Sequence, residues 1–136
     1  MSVVKTVPIS RPNATMPVHL RVCRRACLTY RWIAPSEVVV SAYGEADAAN
    51  AHEFVDYCQH CMVHCRRLFV DLRGLDFFGT AGLSALHTID ARCADAGVDW
   101  AVVPGAAVRR LLRVCPGRAL PTVDSPGLRQ GRREGA

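Results

Sequence analysis

The segment Leu68-Phe69-Val70-Asp71-Leu72-Arg73-Gly74-Leu75-Asp76-Phe77-Phe78-Gly79-Thr80-Ala81-Gly82-Leu83-Ser84-Ala85-Leu86 places a hydroxyl between two kinds of local structure. Residues 68–72 are a short apolar run of the kind that forms a strand covered on both faces. Gly74 and Gly79 permit sharp turns and predict a tight loop after that strand. Thr80 then stands where a helix N-cap belongs, and the residues after it favour helix. The carboxyl end of a buried strand, where a helix begins, is where open α/β sheets usually bind and react. From position alone Thr80 reads as a cap, and Ser84, one turn later, as a small residue on the helix surface. Phe77 and Phe78 are adjacent in extended backbone, so they cannot both face one way.

The second chemically suggestive stretch is Cys58-x-x-Cys61-x-x-x-Cys65, interleaved with His60 and His64. At about 100° per residue, the three cysteines and Phe54 fall within a roughly 60° arc of a helix, and the histidines lie about 100° away. The cysteine stripe is thus a core face and the histidines a wet one. Three thiolates on one straight helix suit tetrahedral zinc poorly, so no metal and no cofactor are expected. Cys23 and Cys27, near a basic arm, are the candidates for exposed thiols, the state a redox sensor requires. There is no phosphate-binding glycine loop, no dinucleotide fingerprint and no nucleophile elbow. Asp71 and Asp76 are separated by a turn, and His87 has no partner by spacing. The chain is not expected to be an enzyme.

These residues need positioning elements. Residues 27–33 and 38–43 read as strands joined by a turn at Ala34-Pro35-Ser36-Glu37, and so as antiparallel neighbours. Gly44-Glu45-Ala46-Asp47 leaves the second strand. Asn50 and Glu53 resemble a capping box opening a helix that runs to about Cys65. A helix from Thr80 to Ala96 carries the apolar stripe Leu83, Leu86, Ile89 and Cys93, and Gly97 ends it. Residues 98–103 form a further strand, and a third helix follows, with Val108, Leu111, Leu112 and Cys115 on one side and Arg109, Arg110 and Arg113 on the other. Residues 120–123 suit a short edge strand. This order predicts one α/β domain over residues 23–124, a mixed sheet of four to five strands covered by three to four helices. Residues 1–22, with Pro8, Pro12 and Pro17, are expected to be a flexible arm, and residues 125–136 a flexible tail.

Composition narrows the function. A chain of 136 residues that is half hydrophobic has the size of one ordinary domain. The net charge is +5, but residues 1–25 carry five basic side chains and no acid, and residues 126–136 carry a net +2, which leaves 26–125 at −2. Basicity confined to the ends predicts no direct nucleic-acid binding. No apolar run approaches the roughly 20 residues a membrane span needs, and no signal-peptide core is present, so a soluble cytoplasmic protein is expected. Seven cysteines, an odd number, argue against a disulfide framework.

The strand and helix order, the Gly44-Glu45-Ala46-Asp47 exit and Asp76-Phe77-Phe78-Gly79-Thr80-Ala81-Gly82-Leu83 together resemble the STAS domain of bacterial anti-sigma factor antagonists and sulfate transporters. The similarity runs from about Cys27 to Val123. In that family the loop reads apolar, Asp, Ser, Ser or Thr, Gly, Leu. The resemblance implies that Thr80 is a phosphoacceptor, with Gly79 in place of the usual acid, Ala81 in place of the second hydroxyl, and Gly82 as the helix-opening glycine. It implies partner contacts by Asp47, Asp76, Phe78, Gly79, Ala81, Gly82 and Ser84. The implied function is an anti-sigma factor antagonist, a monomer or weak dimer. It would bind an anti-sigma factor of the serine/threonine kinase type until phosphorylation ends binding. The alternative is a STAS scaffold, or a ligand or redox sensor, without a phosphoswitch.

Overall fold

The structure, a computed structural model, describes residues 19–127. The elements run β1 (His19–Cys23), β2 (Ala26–Ala34), β3 (Glu37–Ala46), α1 (Ala51–Met62), β4 (Arg67–Phe78), α2 (Thr80–Ala96), β5 (Asp99–Val103) and α3 (Ala106–Val114). The five strands lie side by side in sequence order. β1, β2 and β3 pair antiparallel, whereas β3–β4 and β4–β5 pair parallel. Parallel neighbours need a crossover, and α1 and α2 supply the two. This is the mixed sheet that the sequence order predicts, at five strands and three helices among the described residues.

Pattern and burial agree along the central strands. Val38, Val40, Leu68, Val70 and Leu72 point to the helices and are fully buried. α1 meets them with Phe54, Cys58 and Cys61, and α2 with Leu86, Ile89 and Cys93. Each large apolar side chain so buried contributes about 1.5–3 kcal/mol. The opposite face of the sheet carries a smaller cluster, Val39, Phe69, Ala101 and Val103, covered by Val123 and Ile33. Residues 120–123, expected as an edge strand, form only an isolated parallel bridge between Thr122 and Val102.

Several expectations are corrected. His19–Cys23 was expected to lie mostly in a flexible arm, but it is strand β1, paired along its whole length with β2. The rest of the expected arm, and residues 128–136 of the tail, lie outside the described residues. The expected exit Gly44-Glu45-Ala46 is still strand, and so are residues 74–78, expected as a loop. The two strands lengthen together, because parallel pairing persists to Glu45–Phe77 and Ala46–Phe78 across two register shifts. Gly74 serves close approach rather than a turn: a Cβ there would lie 2.4 Å from the Tyr43 ring. Gly44 does need glycine, with φ +98 and the Arg25 carbonyl only 2.3 Å from where a Cβ would sit. α1 stops at Met62, short of Cys65.

Candidate functional site: the start of helix α2

Thr80 is the first residue of α2, and Gly79, in extended backbone, is the N-cap. The sequence reading of Thr80 as the cap is therefore off by one residue. The longer strand is the cause, since β4 carries the chain to Phe78 before it turns. The Gly79 N–H donates to the Ala46 carbonyl at 2.9 Å, which ties the helix start to the end of β3. The Gly79 carbonyl accepts from the N–H groups of Gly82 at 2.9 Å and Leu83 at 3.2 Å. No side chain caps the helix, and Thr80 is exposed. The first turn therefore presents a free hydroxyl beside N–H groups that no cap satisfies.

The residues expected around Thr80 separate into two sets. Ala81 and Ser84 reach the surface on the first turn and a half of α2, and Asp76 is exposed on β4. The pairing of Ala46 with Phe78 sets Asp47 beside Gly79 at neighbouring strand ends. Phe78 and Gly82, expected at a partner surface, point inward instead. Phe78 is 3% exposed, and a Cβ on Gly82 would lie 2.6 Å from its ring. The exposed aromatic is Phe77, at 49%, whose ring lies 3.1 Å from a Cβ built on Gly79.

Asp47 is held by its neighbours. Its Oδ1 accepts from the Ala49 N–H at 2.9 Å, and its Oδ2 lies 3.3 Å from the Arg25 guanidinium. The expected capping box is absent, because Asn50 is used differently. Asn50 is buried; its Nδ2 donates to the Arg24 carbonyl and, at 2.8 Å, to the Glu45 carbonyl, while its Oδ1 accepts from the Asp47 N–H at 3.1 Å. One amide thus joins the β1–β2 turn, the end of β3 and the start of α1, and it fixes the wall beside Thr80.

Sequence reasoning missed the groove next to this wall. α1 and α2 lie side by side, and between them runs an open groove of about 460 Å³ lined by Ala48, Ala51, Val55, Ala81, Ala85 and Thr88, with His52, Asp56 and Arg92 at its margins. The signal was present as short apolar residues at helical spacing, Ala51-x-x-x-Val55 on α1 and Ala81-x-x-x-Ala85 on α2, with Ala48 in the turn before α1.

Cys58 and Cys61 take the core face of α1 that the helical arc predicts, while Cys65 lies beyond the helix end. Cys58 and Cys61 are fully buried and Cys65 is half-buried, while His60 and His64 are exposed. Burial pushes the Cys93 thiol up to about 12, with Cys65 and Asp90 nearby adding to the rise. Cys23, expected as an exposed thiol, is 5% exposed, and burial pushes it up to about 11. Cys27 is half-buried, and burial raises its thiol also. Among the described residues, no cluster of three or more His, Cys, Asp or Glu is placed to hold a metal. Among them too, no helix is long and apolar enough to cross a membrane.

Comparison with known proteins places this geometry. Over 70 residues, 52% of the chain, the sequence is 37% identical to Osmosensory protein A of Mycobacterium tuberculosis. Over 84 residues, 59% of the chain, it is 36% identical to the anti-sigma-F factor antagonist RsfA of the same species. The matched stretches span 44% and 66% of those relatives' own lengths. A solved anti-sigma factor antagonist from Mycobacterium paratuberculosis superposes with a TM-score of 0.59 at 22% identity, covering 67% of this chain and 78% of that one. The unphosphorylated form of the anti-sigma factor antagonist SpoIIAA gives 0.54 at 12% identity, covering 65% and 80%. At those identities the structural likeness speaks to fold. The family model described as "Mlab, STAS domain" matches residues 32–115, more than half of the chain, and the protein belongs to the STAS domain family.

Proposed function

We propose that this chain is an anti-sigma factor antagonist whose binding is switched at Thr80. It binds an anti-sigma factor of the serine/threonine kinase type through the surface around the start of α2, acting in the cytoplasm as a monomer or weak dimer. The observation that carries the reading is an exposed Thr80 hydroxyl at an uncapped helix start, in a chain 36% identical to an antagonist over the matched stretch. Asp47, Asp76, Gly79, Ala81 and Ser84 are the further contacts in this reading, and the exposed Phe77, not the buried Phe78, is the aromatic anchor.

Phosphorylation of Thr80 adds about −1.5 to −2 charges and three acceptor oxygens. The N-terminus of α2 favours an anion through its free N–H groups and its dipole. Gly79 places no like charge on the preceding residue. The domain therefore keeps its fold, and the cost falls on the docked partner. A charge left unpaired in a closed interface costs about 2–5 kcal/mol, enough to weaken binding by orders of magnitude.

Binding of the anti-sigma-F factor to wild type, Thr80→Ala and Thr80→Glu tests this by calorimetry, and mass spectrometry after kinase treatment locates the phosphate. The expected result is near wild-type affinity for Thr80→Ala, a loss of about a hundredfold or more for Thr80→Glu, and phosphate on Thr80. Equal affinities in the two variants would refute the switch.

A further inference from the structure

The groove between α1 and α2 gives the proposed interface a second half. Its floor is methyl groups: Ala51 and Val55 from α1, Ala81 and Ala85 from α2. Toward the later turns of both helices, the Arg92 guanidinium hydrogen-bonds to the Gln59 side chain across them. Toward the helix starts the lining includes Ala48 and Ala81, and Thr80 immediately precedes Ala81 on α2. The margins carry opposite charge. On α1, Asp56 lies 3.4 Å from His52, four residues earlier, and both are well exposed. On α2, Arg92 is bonded to a neutral amide, and no carboxylate among the described residues lies within ion-pair distance of it.

We propose that this groove receives one amphipathic helix of the partner, with large apolar side chains seated on the alanine floor and a carboxylate directed at Arg92. Two adjacent helices with small residues facing each other form a valley, and a helix laid in a groove is a common recognition mode. A floor of small side chains leaves room for the large anchors that dominate such contacts. The unneutralised guanidinium selects an acidic residue beside it and fixes the direction of the incoming helix. Thr80, next to the lining residue Ala81, then acts by position: a phosphate there meets the incoming helix at the start of α2.

This inference rests on the proposed function, and one experiment separates the two. Affinity for the anti-sigma-F factor is measured for the full chain, for Thr88→Trp, which fills the groove from a lining position outside the contacts proposed around Thr80, and for Arg92→Glu, which reverses one charge. Arg113→Glu, exposed on α3, is the control, and thermal melts confirm that each variant is folded. The groove variants are expected to bind about tenfold or more weakly than wild type, and the control like wild type. Unchanged affinity in both groove variants, with Thr80→Glu still defective, overturns the groove and leaves the switch. Loss in the groove variants, with Thr80→Ala and Thr80→Glu equal, supports the groove and overturns the switch. Failure of the wild-type chain to bind overturns both.

Discussion

Gly82 shows how one residue position serves both the fold and the site. Its lack of a side chain lets α2 lie directly on the Phe78 ring, which is buried and cannot swing away. Gly82→Ala would place a methyl 2.6 Å from that ring. The expected cost is about 1–3 kcal/mol, as for overpacking elsewhere, and urea denaturation would measure it. Because the start of α2 would tilt, Thr80 should move as well, so the variant is expected to lose partner affinity beyond its loss of stability. The sequence marked Gly82 and Phe78 as important but assigned them to a surface. A motif records which residues occur together, not which way each one faces. The irregular pairing of β4 with β3, which shifts register twice, buries Leu72, Leu75 and Phe78 on one side and leaves Phe77 outward.

The least legible element was β4. Its first half reads as a buried strand, but its second half contains Arg73, Gly74 and Asp76, residues that locally favour a turn. Tertiary pairing with β3 overrides them. β5 stops alongside Asp71, since Asp71–Val103 is the last β4–β5 pair. There the Arg73 side chain grips the Asp71 carboxylate twice, at 3.0 and 2.8 Å, and the Arg73 N–H donates to it at 3.1 Å. Burial pushes the Asp71 carboxyl up, but these bonds outweigh it and hold the group below its ordinary value. A lowered folded pKa means the stabilisation is present above the ordinary carboxylate range and disappears as pH falls through the folded value. Asp71→Asn is therefore expected to cost about 1 kcal/mol near neutral pH, discounted because Arg73 is half exposed, and almost nothing in strong acid. Urea midpoints of both proteins at the two pH extremes test this; a constant difference would show that the pair is not what titrates. β1 was missed for the opposite reason: its Leu20 and Val22 are exposed on an edge strand, so no burial pattern marks it.

At the scale of the whole molecule, the charge balance hid a separation that the fold makes plain. Arg109, Arg110, Arg113 and Arg118 follow one another with no acid between Asp99 and Asp124, while most carboxylates lie on α1, α2 and the strand ends. The cysteines show the reverse: the helical arc alone places Cys58, Cys61 and Cys93 in the core, whereas Cys23, expected at the surface, is buried on β1. All seven are free, and Cys23, Cys58, Cys61 and Cys93 are buried. These four thiols sample the whole core, from β1 through both crossover helices, so together they report global opening. Native protein treated with a thiol reagent is expected to label at Cys27, Cys65 and Cys115 first, and at the buried four only as fast as the domain unfolds. Burial also pushes Cys65 up to about 11, so it should react more slowly than its exposure alone implies. The same shifts set the alkaline limit of the fold. Unfolded thiols ionise near 9, whereas the folded ones hold their protons to about 11 at Cys23 and about 12 at Cys93. The unfolded state thus binds fewer protons in that interval, and stability must fall as pH rises through it. If all seven thiols reacted together at neutral pH without denaturant, the core would be open, and α2 would have no packed base from which to present Thr80.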